Sequence, residues 1–212
     1  MASGISADVT VVGYGPTGQA LALLLARMGH DVLVVERWPD LYPLPRAVHF
    51  DQEAARILQA TGAIWDIEKV TEDIERYEWR NADRELLLAL EWAGQGMTGW
   101  PISTMFAQPE LECVLDRHVK SNPRITVMQG WAAVGLVAEA DSRALTIAQG
   151  AALNGDWRAT GEQKSVKTKY VVGADGANSF VRDAIGVEIH NLGFAFDWLV
   201  VDVVPKEQRE WK

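Results

Sequence analysis

The chain has 212 residues, with 20 Lys and Arg against 29 Asp and Glu and a formal charge of -9. An apolar content of 48% and one cysteine exclude a disordered, fibrous or disulfide-built protein, and the length suits one large domain, or one domain with part of another. The acidic balance, with no local basic patch, disfavours nucleic acid and anionic membranes as partners.

The N-terminus does not read as an export signal. Residues 1–8 carry no Lys or Arg, Asp8 stands where a positive region is wanted, and the apolar run Ala20 to Ala26 is too short to span a bilayer. A cytoplasmic protein is expected, and the lone Cys113 agrees with a reducing compartment. Val9 to Val12 is a β-branched run suited to a strand buried on both faces. It leads into Gly13, Gly15 and Gly18, a GxGxxG spacing, and then into a helix from Gln19 to Met28 that ends at Gly29. Asp31 to Glu36 follows as a second buried strand with an acid at its carboxyl end, which completes a β-α-β unit.

These residue types suit a dinucleotide. Gly13 permits the tight turn, Gly15 lets backbone approach a pyrophosphate, and Gly18 lets the helix pack close to the strand. The helix N-terminus brings partial positive charge and free N–H groups to the phosphates. Glu36, 18 residues after Gly18, can accept hydrogen bonds from an adenosine ribose and repels a 2′-phosphate. At this point FAD and NAD both remain open.

A plain NAD domain would continue with alternating strands and helices, but Trp38 to Pro45 is a proline-bearing loop. Asp51 can cap a helix from Gln52 to about Thr61, and Ile74 to Trp79 and Glu85 to Glu91 read as strands around a turn at Asn81 to Asp83. Ser103 to Gln108 leads into a helix from Pro109 to Lys120, in which Cys113 reads as a small apolar residue. Strands are expected over Arg124 to Gln129, Ala133 to Glu139, Leu145 to Gln149 and Ser165 to Val172, with a polar, glycine-bearing stretch over 150–164. The picture is two small sheets on a nucleotide-binding core. Gly173, Ala174, Asp175 and Gly176 close the last strand, and Ser179 and Arg182 follow at a helix start.

Three separated elements resemble one family: the GxGxxG unit with Glu36, the segment Gln108-Pro-Glu-Leu-Glu112, and Asp175-Gly176 with Ser179 and Arg182. They are similar to the class A flavoprotein aromatic hydroxylases, the single-component FAD monooxygenases typified by p-hydroxybenzoate hydroxylase. The wording Pro45-Arg46-Ala47-Val48-His49 and the run Phe194 to Asp202 is most similar to the 3-(3-hydroxyphenyl)propionate hydroxylase branch. The resemblance implies an α/β fold: a Rossmann-like FAD-binding domain over 1–190 with inserted β elements about 74–105, and the start of a substrate-domain sheet over 191–212, its first strand at Phe196 to Val204. It implies FAD as cofactor, NAD(P)H as co-substrate and a small phenolic aromatic as substrate.

Residue by residue, the resemblance implies that Gly13, Gly15, Pro16 and Gly18 hold the pyrophosphate and Glu36 the ribose, with Arg37 beside it. Arg46 and Gln108 contact the ribityl and phosphate region, Ala133 borders the adenine, and Asp175 and Gly176 serve the diphosphate and NAD(P)H use, with Arg182 nearby. On the residues alone Gln108 could equally cap its helix, Arg46 could be solvated, and a lone His49 suits a structural role. No residue is named as catalytic base, and no metal site is expected. Family members continue beyond the equivalent of Lys212, so the expectation is the N-terminal part of such an enzyme, with a second copy or a complementing C-terminal chain as partner. A non-catalytic FAD- or NAD-binding module and an NAD-dependent dehydrogenase or regulator stand as the alternatives.

Overall fold

Ile5–Val12 forms β1, Pro16–Arg27 α1 and Val32–Glu36 β2, the expected β-α-β unit with β1 beginning ahead of Val9. The computed structural model describes residues 4–44, 46–153, 156–194, 196, 197, 199 and 206. β2 is buried on both faces: Val32 and Val34 enter the core that holds α1, while Leu33 and Val35 enter a second core on the opposite face. Continuous apolar runs of this kind are what an interior parallel strand requires.

His49–Asp51 forms β3, and Asp51 caps α2 (Gln52–Thr61) as expected, its Oδ1 accepting from the backbone N–H groups of Glu53 (3.0 Å) and Ala54 (2.9 Å). A short α3 (Ile64–Ile67) precedes β4 (Thr71–Asp73), β5 (Arg76–Arg80), β6 (Leu86–Glu91) and β7 (Ser103–Phe106). Two small sheets result, a three-stranded one in the order β3-β7-β4 and the β5-β6 ribbon. α4 (Gln108–Ser121) then packs Leu111, Val114 and Leu115 into the core with Ala22, Leu23 and Ala26 of α1. This spacing leaves Cys113 pointing outward, so it is an exposed cysteine.

β8 (Ile125–Gln129), β9 (Trp131–Ala138), β10 (Arg143–Leu153) and β11 (Asp156–Gly173) complete a six-stranded sheet in the order β8-β2-β1-β11-β10-β9. β8, β2, β1 and β11 run parallel, whereas β10 is antiparallel to both its neighbours. The stretch over 150–164 is thereby corrected in its described residues: 150–153 and 156–164 are the outer halves of β10 and β11, with Gly150 paired to Ala159 past a register shift after Ala148. Its polar composition hid it, because a ribbon with both faces near solvent satisfies its backbone by cross-strand bonds and needs no apolar alternation. Ser179 then caps α5 (Phe180–Ala184), its Oγ accepting from Arg182 N–H at 3.0 Å. The strand expected at Phe196 to Val204 lies largely outside the described residues. Among those described, no helix is long and apolar enough to cross a membrane.

Candidate functional site: a cleft beyond the carboxyl ends of β1 and β2

Parallel strands end at one edge of the sheet, and the loops leaving β1, β2 and β11 meet there around a cleft of about 270 Å³. Gly13 makes the first turn at φ +106°. Its N–H donates to Val35 O (2.8 Å), and Ala174 N–H donates to Val12 O (2.7 Å), so the three strand ends are stitched at this point. A Cβ on Gly13 would lie 2.3 Å from Ala174 O, and one on Gly18 would lie 2.1 Å from Gly13 O. Gly18 is accordingly buried beneath the loop and is not among the residues that line the cleft, so its missing side chain serves the packing of loop on helix.

Gly15 differs from both, for a Cβ there would meet nothing within 4 Å and would stand in the cleft. It is the N-cap of α1, without a side-chain hydrogen bond, and no acid occupies the first turn. Pro16 follows at the first helical position. An uncapped helix start with free N–H groups, facing space that only a missing Cβ leaves open, fits an anionic diphosphate.

The residue between the glycines holds this loop still. Tyr14 is 2% exposed, its N–H donates to Glu36 Oε2 (2.8 Å), its carbonyl accepts from Gln19 Nε2 (2.8 Å), and its hydroxyl donates to Asp116 Oδ1 (2.8 Å). Burial, and then the Asp116 carboxylate, push the Tyr14 hydroxyl well above the ordinary phenol range, so it stays a donor. Glu36 also accepts from Trp38 N–H through Oε1 (2.9 Å). Each oxygen keeps a second lone pair, so the brace and ribose binding are compatible.

Gln108 lines the cleft and does not cap its helix, whose start has no side-chain cap. Its Oε1 accepts from the N–H groups of Arg46 (2.8 Å) and Ala47 (2.9 Å), which pins the loop after β2 across the cleft. Arg46 lies over the Tyr42 ring, its Cζ 3.7 Å from the centroid, while Arg37 and Ala133 line the wall beyond Glu36. Asp175 and Gly176 line the cleft too, yet the Asp175 carboxylate is turned to its own loop, accepting from Ser179 Oγ (2.5 Å) and Val181 N–H (3.1 Å). Arg182 closes that loop by donating to Ala177 O (2.6 Å) and does not line the cleft.

Sequence reasoning did not single out Glu112 as a site residue. It is 2% exposed, lines the cleft and accepts from Gln108 Nε2 at 2.6 Å. Burial raises its pKa and Glu36 adds to this, against the hydrogen bond from Gln108 and the charge of Arg46. A carboxyl whose folded pKa is raised adds stability below its unfolded pKa of about 4.3, and that contribution is lost as pH rises through the folded value. E112Q is therefore expected to gain stability relative to the parent as pH rises, measured as urea midpoints at pH 5 and 8. E112L leaves the Gln108 amide N–H buried without an acceptor and costs about 1–3 kcal/mol at both.

Comparison with known proteins agrees with this geometry. The sequence pattern of the FAD binding domain family matches residues 6–211. The chain belongs to that family. This FAD-binding chain is 40% identical over 198 residues to the probable NADH-specific resorcinol 4-hydroxylase of Rhodococcus jostii (strain RHA1), covering 92% of itself and 35% of that protein. It is 32% identical over 196 residues to the 3-(3-hydroxy-phenyl)propionate/3-hydroxycinnamic acid hydroxylase of Burkholderia cenocepacia (strain HI2424), covering 92% of itself and 34% of the relative. The p-nitrophenol 4-monooxygenase of Pseudomonas putida DLL-E4 shares its fold with a TM-score of 0.76 at 26% identity, over 87% of this chain and 44% of that one. The FAD-binding chain thus spans about a third of the length of the curated relatives it matches.

Proposed function

We propose that the chain is the FAD-holding part of a flavoprotein monooxygenase that hydroxylates a phenolic aromatic compound with NAD(P)H and O2. The observation that carries this reading is the open glycine cradle at the uncapped start of α1, within a chain similar along 92% of its length to a resorcinol hydroxylase. FAD, when bound, supplies the redox chemistry that links a nicotinamide donor to oxygen. In this reading Gly13, Gly15, Pro16 and the first turn of α1 hold the diphosphate, Glu36 accepts from the ribose, and Arg46 adds the positive charge that two phosphates need. The loop locked by Asp175 closes the same end of the cleft. NADH is the reductant to try first, since the Rhodococcus relative is described as NADH-specific.

The test is a visible absorption spectrum of the purified chain with and without added FAD, after removal of free flavin. A retained two-band flavin spectrum is the expected result, and its absence at high FAD overturns the reading. NADH oxidation stimulated by resorcinol or by 3-(3-hydroxyphenyl)propionate, against FAD binding with no such stimulation, separates the monooxygenase from a module that only holds the cofactor.

A further inference from the structure

The β5–β6 ribbon satisfies one of its faces and leaves the other bare. On the first, Arg76 pairs with Glu78 (2.8 Å) and Glu91 (3.3 Å), and Arg80 pairs with Glu78 (2.6 Å). The opposite face carries Tyr77 and Trp79, with Leu90 and Leu88 as their cross-strand partners, and all four are exposed. Tyr77 continues this face into a row of rings: it meets Trp79 edge-on at 6.4 Å and stacks on Trp92 at 5.1 Å, and Trp92 in turn meets His49 at 5.6 Å.

His49 ends the row, and the fold gives its ring nitrogens no partner. It is exposed in β3, while Phe50 after it packs against the core. Among the described residues the histidine ring that finds a hydrogen-bond partner is that of His118, on Asp66 (2.9 Å), and His49 finds none. The structural role that suits a lone histidine therefore has no bond to rest on. Its place is tied to the cleft, for His49 lies three residues beyond Arg46, and its cross-strand partner Met105 lies three residues before Gln108, both of which line the cleft. Phe106 N–H, donating to Val48 O at 2.9 Å, fixes the two strands at this point. At about 3.3 Å per residue, the row begins about 10 Å from the cleft wall.

We propose that the His49 and Trp92 end of this row receives the phenolic ring, the neutral imidazole accepting the phenol O–H while the Trp92 and Tyr77 rings give it flat apolar surface. A neutral imidazole keeps one ring nitrogen as an acceptor, and aromatic pairs attract beyond the area they bury. Apolar walls with one or two unengaged polar groups are the usual make-up of a small-molecule site. A protein segment laid on the ribbon would cover Leu88 and Leu90 but would have no use for a bare imidazole beside the cleft. The inference takes its ligand class from the proposed function and adds the residues that hold the substrate, outside the cleft that holds the cofactor.

The experiment titrates resorcinol, and resorcinol dimethyl ether as the same ring without a hydroxyl, into the parent chain and into H49F, which keeps a ring against Trp92 and removes the acceptor. Histidine is isotope-labelled for NMR, and of the four histidines His49 gives the signal that H49F lacks. The expected result is a saturable shift of the His49 signal with resorcinol. Affinity for resorcinol should stand about three- to tenfold above that for the ether in the parent and equal to it in H49F. The unfolding midpoint and FAD affinity of H49F should match the parent, because His49 is exposed and does not line the cleft. An unshifted His49 signal overturns the inference, as does an H49F chain that keeps the preference for resorcinol. A parent that sediments as a dimer and shows no shift also overturns it, and gives the face to a second copy. A parent that binds FAD with His49 unshifted removes this inference alone, whereas one that binds resorcinol at His49 but no FAD removes the proposed function alone.

Discussion

Gly13→Ala is expected to lose both the fold's full stability and FAD binding, while Gly15→Ala loses binding alone. At Gly13 the new methyl would press on backbone, Ala174 O at 2.3 Å and Asp175 Cα at 2.9 Å, and the residue must hold φ +106°. The left-handed conformation costs about 1–2 kcal/mol and overpacking about 1–3 kcal/mol more, so a destabilisation of about 2–5 kcal/mol is expected. In a protein of this size each kcal/mol lowers the melting midpoint by about 2–4 °C. Gly15 has ordinary backbone angles, φ -73° and ψ -177°, and no neighbour within 4 Å of an added Cβ. Its alanine variant should melt within about 0.5 kcal/mol of the parent, because nothing in the folded chain touches the methyl. Yet that methyl stands where a diphosphate must approach the helix start, so FAD titration should show a loss of tenfold or more, about 1.4 kcal/mol. Thermal unfolding and FAD titration on both variants check the pair. A Gly15→Ala chain that binds FAD as the parent does would mean that the diphosphate does not approach this position.

Glu36→Ala is the second large effect. The carboxylate accepts from Tyr14 N–H inside the glycine loop and from Trp38 N–H at the start of the next loop, so one side chain holds the two ends of the nucleotide cradle. Hydrogen bonds to charged groups are worth about 1.5–3 kcal/mol each, though partial exposure of Glu36 lets water recover some of this, and a loss of about 2–4 kcal/mol is expected. FAD affinity should fall further than stability, since the ribose acceptor goes together with the brace. Glu36→Gln keeps one carbonyl oxygen and should return part of both. Urea unfolding and FAD titration on the two variants separate the roles: a drop in stability with unchanged affinity would leave Glu36 as a brace only.

The nucleotide-binding core was legible because its rules are local. A β-branched run, three glycines at fixed spacing, an apolar helix and a terminal acid each declare themselves within a few residues, and the cap by Asp51 and the pairing of β5 with β6 were equally readable. The outer half of the β10–β11 hairpin was not, because its exposed faces carry no apolar period. The exposure of Cys113 was not legible for a related reason. Helix membership is local, but the face a residue presents depends on where the helix docks.

What the sequence by itself determined is the β-α-β unit, the glycine loop, the acid at Glu36 and membership of the FAD binding domain family. What only the tertiary structure decided is the partner of each polar side chain at the cleft. Tyr14 meets Asp116 across 102 positions of chain, and Gln108 Oε1 meets the backbone at Arg46 across 62 while its Nε2 stays with Glu112 of its own helix. Glu112 becomes a buried carboxyl because α4 turns it into the cleft, and the Gly18 methyl position falls on the Gly13 carbonyl because the loop folds back over α1. The physical reason is that glycine requirements and strand patterns are set by neighbours in sequence, whereas a hydrogen bond is chosen among all the donors and acceptors that packing brings within about 3 Å.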